Sequence, residues 1–325
     1  MAPRLGLGGG VTANPASGLF GAPNLLLDNF SAHRAYSVRK LSKDYSGFAM
    51  KIRVDIDDDG ATTPDKTADV AFDDDGFVSA SSKIYNPSAD GSDGDTLAEF
   101  VDTEDEVYCH TWYDQSGSGV NAVDKEAGGF FPTIANQPKI YTSNSLITDV
   151  TASGTPRAAL LFDDADILHF TDSGLSFGNI SVFITYRPAA AVHTAWCLKF
   201  ESSGAKWFTH YQTGLSSYFY YNAGSAGAIG VDNGGGALLD KRRLYSFHAG
   251  TSARSQVING TTVTDSSTDA TTSALGGATA ANIGIGKTFT AGPTGKVQEL
   301  IVYATDQVSN NADIVSDINT ALEVY

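Results

Sequence analysis

Acidic residues form the first group whose types and spacing could do chemistry. Asp55, Asp57 and Asp59 open a D-x-D-x-D-G pattern, which folds carboxylates around Ca²⁺ with the glycine at the sharp turn. The twelfth position is Lys66, where an EF-hand needs a glutamate that binds through both oxygens. The EF-hand motif therefore fails, and a looser Ca²⁺ loop on the three aspartates stays open against a solvated acidic loop.

Aromatic residues form the second group, because rings exposed beside polar groups stack on the faces of sugars. They crowd two adjacent segments, residues 207–211 and 218–221. Alternate side chains of a strand point to opposite faces, so about half of these rings belong to a core. The outward half predicts a glycan-binding site, for which the candidates are Trp207, Tyr211, Tyr218 and Tyr220.

The segment T-W-Y-D-Q-S-G-S-G at residues 111–119 places an acid and an amide beside aromatic rings, which would suit catalysis. The same residues are typical of a turn, since Asp and Ser side chains bind nearby backbone amides and Gly accepts a positive φ. The serine also lacks the G-x-S-x-G frame of a nucleophile elbow. We therefore interpret Asp114, Ser116 and Gly117 as a structural turn that ends a strand.

Histidine and cysteine spacing indicates no transition-metal centre. The chain has six histidines, and His110, next to Cys109, has neither an H-x-H partner nor a third ligand nearby. Cys109 and Cys197 are far apart in strand-like segments, which favours two buried thiols, although a disulfide between them stays open. The only cofactor that the sequence suggests is therefore the Ca²⁺ of the acidic loop.

Charge and composition exclude several classes of protein. The chain of 325 residues carries 21 basic and 37 acidic side chains, a formal net charge of −16, which argues against a nucleic-acid partner. It has no apolar stretch long enough to span a bilayer and no signal-peptide pattern at the N-terminus. With 34 glycines, two methionines and 42% hydrophobic residues, it is typical of a turn-rich β protein with an ample core.

Hydrophobic periodicity predicts the elements that position these groups. Apolar residues at 35, 38, 41 and 45 predict a short N-terminal helix over residues 31–45. Residues 48–54 alternate as in a half-buried strand, and Asn259 with Gly260 indicates a type I′ hairpin turn. Asn310 predicts the cap of a C-terminal helix. Further strands are predicted at residues 107–113, 158–162, 179–187, 196–201, 206–211, 217–221, 244–249, 255–258, 261–264, 282–286 and 296–303.

Residues 1–27 are rich in Gly, Pro and Ala, with small apolar islands. Such a composition cannot form its own core, yet it is too apolar for a solvated tail. We predict an extended arm that docks on a partner protein, with a disordered leader as the alternative. Residues 28–325 show no repeat and predict one all-β domain. The docking residues would be Leu5, Leu7, Leu19, Phe20, Leu25, Leu26 and Leu27.

Four short segments follow one another in a recognisable order: V-R-K-L at residues 38–41, K-I-R-V-D at 51–55, T-W-Y-D-Q-S-G-S-G at 111–119 and N-Q-P at 136–138. In order and spacing they resemble the catalytic-domain family of fungal α-L-arabinofuranosidases of the B type. The resemblance implies a concanavalin-like or laminin-G-like (LamG-like) β-sandwich of the jelly-roll kind, with a short N-terminal helix and a C-terminal helix. Similar sequences are widespread in phage virion proteins, among them tail fibres and other appendages.

The resemblance also implies where an active site would lie. The enzymes carry adjacent cysteines in a stretch resembling residues 195–201, where this chain has Trp196 beside Cys197. Their nucleophile lies in a strand resembling residues 206–211 and their acid in a segment resembling residues 247–254, and neither stretch holds a carboxylate here. The resulting prediction is a protein that keeps the frame of the family but is not an enzyme.

We therefore expect a non-enzymatic structural protein of a phage virion: a tail fibre, head fibre or capsid decoration on the particle surface, docked by its N-terminal arm. Its expected partners are other virion proteins and further copies of itself, with host surface glycans as a ligand. It would assemble in the host cytoplasm without a signal peptide. The alternative is a glycoside hydrolase or depolymerase acting on host polysaccharide, and a bacterial lectin or adhesin is the third reading, since this fold serves all three roles.

Overall fold

Most of the described chain consists of segments in which successive side chains point to opposite faces. The computed structural model is an antiparallel β-sandwich with a few short helices. The predicted all-β sandwich is thereby confirmed. For the strands between residues 195 and 232 and for residues 279–286 the description is one of the backbone. The described residues are 25–55, 66–89, 91–101, 106–123, 137–142, 144–163, 166–176, 179–188, 195–201, 207–213, 216–222, 226–232, 241–249, 254–263, 279–286 and 295–325.

The strands of this described part are numbered in chain order, and so are its α-helices. The helices are α1 (Leu26–Asn29), α2 (Leu97–Phe100) and α3 (Asn311–Leu322). The strands are β1 (Arg34–Ser37), β2 (Met50–Asp55), β3 (Lys66–Val70), β4 (Ile84–Tyr85), β5 (Glu106–Trp112), β6 (Ala122–Val123), β7 (Lys139–Thr142), β8 (Ser145–Leu146), β9 (Thr148–Val150), β10 (Pro156–Ala158), β11 (Leu160–Phe162), β12 (Ile167–Ser176), β13 (Ile180–Pro188), β14 (Ala195–Glu201), β15 (Trp207–Thr213), β16 (Ser216–Asn222), β17 (Ala226–Asp232), β18 (Arg243–Ala249), β19 (Arg254–Ile258), β20 (Thr261–Val263), β21 (Thr279–Gly286) and β22 (Gly295–Tyr303).

Two runs of antiparallel strands make the layers of the sandwich. The first runs β20-β19-β18-β13-β22, and both β1 and β11 pair with the other edge of β22. The second runs β17-β16-β15-β14-β21-β12-β6-β5-β2-β3-β4. Strand β7 joins the two runs, because it pairs with both β5 and β11.

The core lies on both sides of the first layer, because its strands are buried on both faces. Tyr36 of β1 and Ile184 of β13 belong to the main core between the layers. Their neighbours Ala35 and Phe183 point the other way, into a second cluster that α3 covers with Ile314. Successive side chains of these strands therefore alternate between two apolar clusters.

The predicted helix over residues 31–45 is wrong. Residues Arg34–Ser37 form β1, which pairs with β22 from Arg34↔Val302 to Ser37↔Glu299, and all four residues are buried. As a strand, this segment satisfies its backbone on β22 and divides its side chains between two cores, and that tertiary gain outweighs a weak local helix preference. The short N-terminal helix is instead α1, which ends before this strand.

Helix α1 occupies the last part of the predicted arm. Leu25 stands at its N-cap position, and its backbone N–H donates to Asp28 Oδ2 at 2.9 Å. Leu26 is fully buried in the second core cluster, and Leu27 packs against that cluster. These leucines are therefore engaged within their own chain. The other predicted docking positions lie outside the described residues: Leu5, Leu7, Leu19 and Phe20.

The C-terminal helix and the hairpin turn follow the sequence closely. Asn259 and Gly260 have φ of 49° and 75°, as a type I′ turn requires. Asn310 occupies the N-cap position of α3, as predicted, but its side chain makes no capping hydrogen bond, because the preceding 3-10 turn, Val308–Asn310, leaves it in a helical conformation. A capping side chain needs an extended backbone, and Asn310 Nδ2 instead donates to Gln307 Oε1 at 2.7 Å. No helix within the described ranges is long and apolar enough to cross a bilayer.

Candidate functional site

Asp114 holds the turn that follows β5. Its Oδ1 accepts hydrogen bonds from the backbone N–H of Ala35 at 2.9 Å and of Ser116 at 3.1 Å. Its Oδ2 accepts from the hydroxyls of Ser116, at 2.7 Å, and Ser118. Gly117 has a φ of 86°, a conformation that favours glycine. Asp114 is 4% exposed. Its carboxylate oxygens accept hydrogen bonds from groups of its own chain, which leaves them unavailable to a substrate.

Gln115 explains why the segments at residues 35–41 and 111–119 occur together. Its Oε1 accepts from the backbone N–H of Leu41 at 2.9 Å, and its Nε2 donates to the carbonyls of Ser37 and Arg39 at 3.2 and 2.9 Å. Gln115 is 3% exposed. This one buried side-chain amide thus satisfies three backbone groups at the end of β1 and just beyond it. A change in either segment would therefore disturb the other.

The acidic Ca²⁺ candidates are only partly within the described residues. Asp55 ends β2, whereas Asp57 and Asp59 lie outside the described part of the chain. Lys66, the residue that breaks the EF-hand pattern, opens β3 and places its Nζ 5.0 Å from the centre of the Phe100 ring. Among the residues that the structure describes, no group of three His, Cys, Asp or Glu side chains could hold a metal ion. The Ca²⁺ loop stays a prediction.

The aromatic glycan candidates lie on the paired strands β15 and β16. The register sets Tyr211 opposite Tyr218, Thr209 opposite Tyr220 and Trp207 opposite position 222. Opposite residues, and residues two apart on one strand, share a face of a sheet. All four candidate positions therefore fall on one face of this ladder, and the aromatic glycan site stays a prediction on that face.

Asp163 and Asp166 form a pair of carboxyl groups beyond the end of β11. Asp166 is 2% exposed, and its Oδ2 accepts a hydrogen bond from the backbone N–H of Asp163 at 2.7 Å. Burial raises the pKa of Asp166 to about 8; the backbone hydrogen bond opposes this shift, and the negative charge of Asp163 reinforces it. Asp166 thus keeps its proton at neutral pH. Its burial closes it to a substrate.

Ser181, His248 and Asn311 lie in a line that superficially suggests nucleophilic catalysis. Ser181 Oγ is 2.9 Å from His248 Nδ1, and His248 Nε2 is 2.9 Å from Asn311 Oδ1. Burial lowers the pKa of His248, which fits a neutral ring that donates to Asn311 and accepts from Ser181. Ser181 is fully buried and also accepts the backbone N–H of Gln307 at 2.8 Å. The group fastens the start of α3 to the sheet, and it is not an active site.

Arg39, Glu299 and Asp317 form a closed cluster of charges between β22 and α3. Arg39 donates from Nε to Glu299 Oε2 at 2.8 Å, and from Nη2 to Asp317 Oδ1 at 2.9 Å. The hydroxyl of Ser37 adds a 2.7 Å hydrogen bond to the same Glu299 oxygen. Burial acts to lower the pKa of Arg39, but the charges of Glu299 and Asp317 outweigh it and raise that pKa. Arg39 and Glu299 are 3% and 1% exposed.

A cavity of about 400 Å³ opens where β13 ends and β18 begins, beside the C-terminus. Its size falls within the range of about 300–1,000 Å³ that small-molecule sites occupy. Four of its lining side chains are cations, which no single stretch of sequence supplies. We call it the cationic pocket, and its lining includes Val150, Arg187, Lys241, Arg242, Arg243 and Tyr325.

Asp149 fixes the arginines of the cationic pocket from behind. It is fully buried; its Oδ1 accepts from Arg187 Nη1 at 2.6 Å, and its Oδ2 lies 4.0 Å from Arg242 Nε. Arg242 also donates to Gln298 Oε1 at 2.9 Å and to the carbonyl of Glu323 at 2.5 Å. Burial lowers the pKa of Arg242, with Asp149 opposing the shift, yet a guanidinium stays charged at neutral pH.

The rim of the cationic pocket carries exposed apolar groups. Tyr325 and Val150 are 48% and 52% exposed. Tyr325 lies over the β19–β20 turn, where a Cβ added to Gly260 would stand 2.9 Å from its hydroxyl. Two features therefore favour glycine at position 260: its positive φ and the close approach of the Tyr325 hydroxyl.

Sequence reasoning missed the cationic pocket, because its residues come from five separate segments. The one available signal was Lys241-Arg242-Arg243, the only run of three basic residues in the chain. In a chain of net charge −16, such a run is a departure from the background.

The sequence matches no protein-family model and no curated protein. Solved structures do match. A GH54 α-L-arabinofuranosidase soaked with 4-nitrophenyl α-L-arabinofuranoside has a TM-score of 0.62 and 13% identity, over 90% of this chain and 63% of that one. An arabinofuranosidase complexed with arabinofuranosyl-α-1,2-xylobiose has a TM-score of 0.60, with the same identity and coverage. Domain 4 of AbnA, a GH43 extracellular arabinanase from Geobacillus stearothermophilus, reaches only 0.41 at 16% identity, over 51% of this chain and 80% of that one.

These matches confirm the arabinofuranosidase side of the predicted resemblance at the level of the fold. The chain spans 63% of the length of the enzymes it matches. The prediction that the chain is not an enzyme is contradicted, because the frame it shares over 90% of its length is that of glycoside hydrolases. That prediction rested on aligning catalytic positions at 13% identity. At Trp196 and at 207–211 the structure describes the backbone alone, so it says nothing of the side chains concerned.

Proposed function

We propose that this chain recognises carbohydrate, with the β-sandwich as its scaffold, and that it does so on the surface of a phage particle. The observation that carries the carbohydrate part is the match to arabinofuranosidase structures over 90% of the chain, at TM-scores of 0.60 to 0.62. Two features of the chain supply means of binding. One is the ladder face that bears Trp207, Tyr211, Tyr218 and Tyr220, and the other is the cationic pocket.

The phage setting rests on the paired segments at residues 38–41 and 111–119, which resemble phage appendage proteins as well as the enzymes. In this setting the chain is a tail fibre, head fibre or capsid decoration, assembled in the host cytoplasm with other virion proteins and with copies of itself. The apolar islands of residues 1–24 dock it on the particle.

A glycan array probed with the full chain tests the carbohydrate proposal. We expect saturable binding to at least one polysaccharide class, and we expect a heat-unfolded sample of the same chain to lose it. A folded chain that binds no glycan at millimolar ligand concentration would contradict the proposal, since a Kd above 1 mM corresponds to a binding free energy of less than about 4 kcal/mol. Counting the chain by mass spectrometry in purified particles tests the phage setting, and absence from the particles overturns it.

Hydrolysis of arabinofuranosidic linkages is the second candidate function. It is favoured by the neighbours that were crystallised with 4-nitrophenyl α-L-arabinofuranoside and with an arabinofuranosyl-xylobiose. Release of 4-nitrophenol from that substrate measures it directly. The substitution Glu201→Gln, at the end of β14, tests an acid in the stretch resembling the enzymes' pocket, and Glu99→Gln on the distant helix α2 is its control. Turnover that survives Glu201→Gln excludes Glu201, and a lack of turnover excludes this candidate.

A further inference from the structure

We infer that the cationic pocket binds an acidic sugar, a ring that carries a carboxylate or a sulfate ester. The inference rests on the proposed carbohydrate function and names the ligand class of one of its sites. It starts from charge. Arg187, Lys241, Arg242 and Arg243 line a cavity of about 400 Å³, whereas the chain as a whole has a net charge of −16.

The nearby carboxylates do not cancel this charge. Asp149 lies behind the pocket as a single negative charge between two arginines, at 2.6 Å from Arg187 and 4.0 Å from Arg242. The Glu323 carboxylate accepts a hydrogen bond from the Ser153 hydroxyl instead, and that hydroxyl lowers its pKa. Within the described part of the chain, the four lining cations outnumber these two side-chain carboxylates. An anion placed there gains attraction that is strongest where the pocket excludes water.

The arginine at the floor of the cationic pocket is set in place before any ligand arrives. Arg242 is 7% exposed and is fixed by Gln298 Oε1 and by the carbonyl of Glu323. Lys241 is exposed, and within the described ranges it makes no ion pair. A fixed guanidinium and a mobile ammonium together suit an anionic group on a ligand of varied shape.

The rim of the cationic pocket favours a sugar over a simple ion. Tyr325 and Val150 are about half exposed at its edge, and an aromatic ring beside polar groups stacks on the apolar face of a sugar. An inorganic anion would need neither group. A nucleic acid would need a longer track of phosphate contacts than four cations in a chain of charge −16 provide.

The negative charge of the rest of the chain does not abolish this attraction. At physiological salt the screening length is about 8 Å, so acidic loops farther away than that contribute little inside the pocket. Binding that depends on these cations should therefore weaken as salt is added, whereas binding by stacking on a neutral sugar should not.

The test measures binding of the full chain to polygalacturonate, dextran sulfate, neutral arabinan and neutral dextran. Its key variant is Lys241→Glu, which reverses an exposed charge at the pocket. The matched control is Lys83→Glu, which changes the net charge equally at an exposed position that is not part of the pocket lining. We expect Lys241→Glu to weaken binding to at least one acidic polysaccharide about tenfold, and Lys83→Glu to change it less than about twofold.

Salt and a rim variant give independent measurements. Acidic-polysaccharide binding should fall between about 0.05 M and about 0.5 M NaCl, and the fall should be smaller for Lys241→Glu. Tyr325→Ala should weaken acidic-polysaccharide binding severalfold without changing its salt dependence. Polygalacturonate and dextran sulfate distinguish a carboxylate from a sulfate ester as the recognised group.

The outcomes separate this inference from the proposed function. Binding to neutral arabinan alone would leave the carbohydrate function standing and overturn the acidic-sugar inference. Equal weakening of acidic-polysaccharide binding by Lys241→Glu and Lys83→Glu would also overturn it, since the effect would then be one of net charge. No binding to any of the four polysaccharides would overturn the acidic-sugar inference, and no binding on the glycan array as well would contradict the carbohydrate function.

Discussion

Two clusters in this sandwich each combine arginine with carboxylate side chains, but they differ in their ratio of positive to negative charge and in their exposure. Around Arg39, two carboxylates bind one guanidinium, a serine hydroxyl donates to one of these carboxylates, and helix α3 supplies the other. Around Asp149 the ratio is reversed: two guanidiniums share one carboxylate, and the cationic pocket opens beside them. The first cluster is complete within the chain, and the second has positive charge to spare.

The difference shows that burial and pairing must be judged together. A closed, fully paired cluster specifies how β1, β22 and α3 meet, and it has no capacity for a ligand. An open cluster with unbalanced charge is held firmly enough to keep its shape, and it can gain a partner from solution. Substituting one carboxylate at a time tests this contrast.

The largest effect is expected at the closed cluster. Glu299→Gln removes the buried one of the two carboxylates that pair with Arg39, and it should lower the free energy of unfolding by about 3–5 kcal/mol, because the partly exposed Asp317 alone then balances a buried guanidinium. Urea unfolding measures this change. The control is Glu106→Gln, which breaks a pair with Lys139 whose side chains are 20% and 29% exposed, and which should cost less than about 1 kcal/mol. Equal losses in the two variants would contradict the contrast.

A smaller effect is expected at the open cluster, where one substitution should lower the stability and strengthen the binding of an anionic ligand. Asp149→Asn should lower the free energy of unfolding by about 1–2 kcal/mol, because water in the pocket can solvate the released arginines. It also leaves the pocket more positive, so binding to polygalacturonate or dextran sulfate should tighten severalfold. Denaturation and binding measured on the same samples check both signs. A loss as large as that of Glu299→Gln, or weaker binding to both anions, would show that this cluster is closed as well.

The smallest effect sharpens the comparison through a buried carboxyl that lacks an arginine. Burial raises the pKa of Asp166 to about 8 from the ordinary value of 3.8, so the folded state binds more protons than the unfolded state between these values. Its stabilising contribution is complete below about pH 4 and is lost as the pH rises towards about 8, with a slope of at most about 1.4 kcal/mol per pH unit. Urea midpoints across that range measure the slope, and Asp166→Asn should flatten it. A slope unchanged by the substitution would assign it to another group.

Much of the frame could be predicted from the sequence, because it depends on local rules. The Asn259-Gly260 turn follows from the positive φ that both positions require. Helix α3 follows from the shared face of Ile314 and Ile318, both fully buried. The alternating run at residues 48–54 is β2 with a one-residue irregularity against β5.

The rest depends on contacts that no local pattern contains. Strand β1 looks helical in sequence, and only its pairing with β22, more than 260 residues away, makes it a strand. The cationic pocket gathers Asp149, Arg187, Arg242 and Tyr325 from four segments. Its charge is gathered only by folding, because Arg187 is far in sequence from the run at residues 241–243.

The pairing of β1 with β22 also sets the order in which a newly made chain can fold. Ser37 Oγ donates to Glu299 across 262 residues of sequence, so β1 cannot complete its pairing until β22 has been synthesised. Contacts of such long range fold slowly and leave strand edges exposed during synthesis. A chain that stops before residue 295 lacks β22, the strand that pairs with β1, β11 and β13 in the first layer. The first layer is therefore assembled only after β22 has left the ribosome.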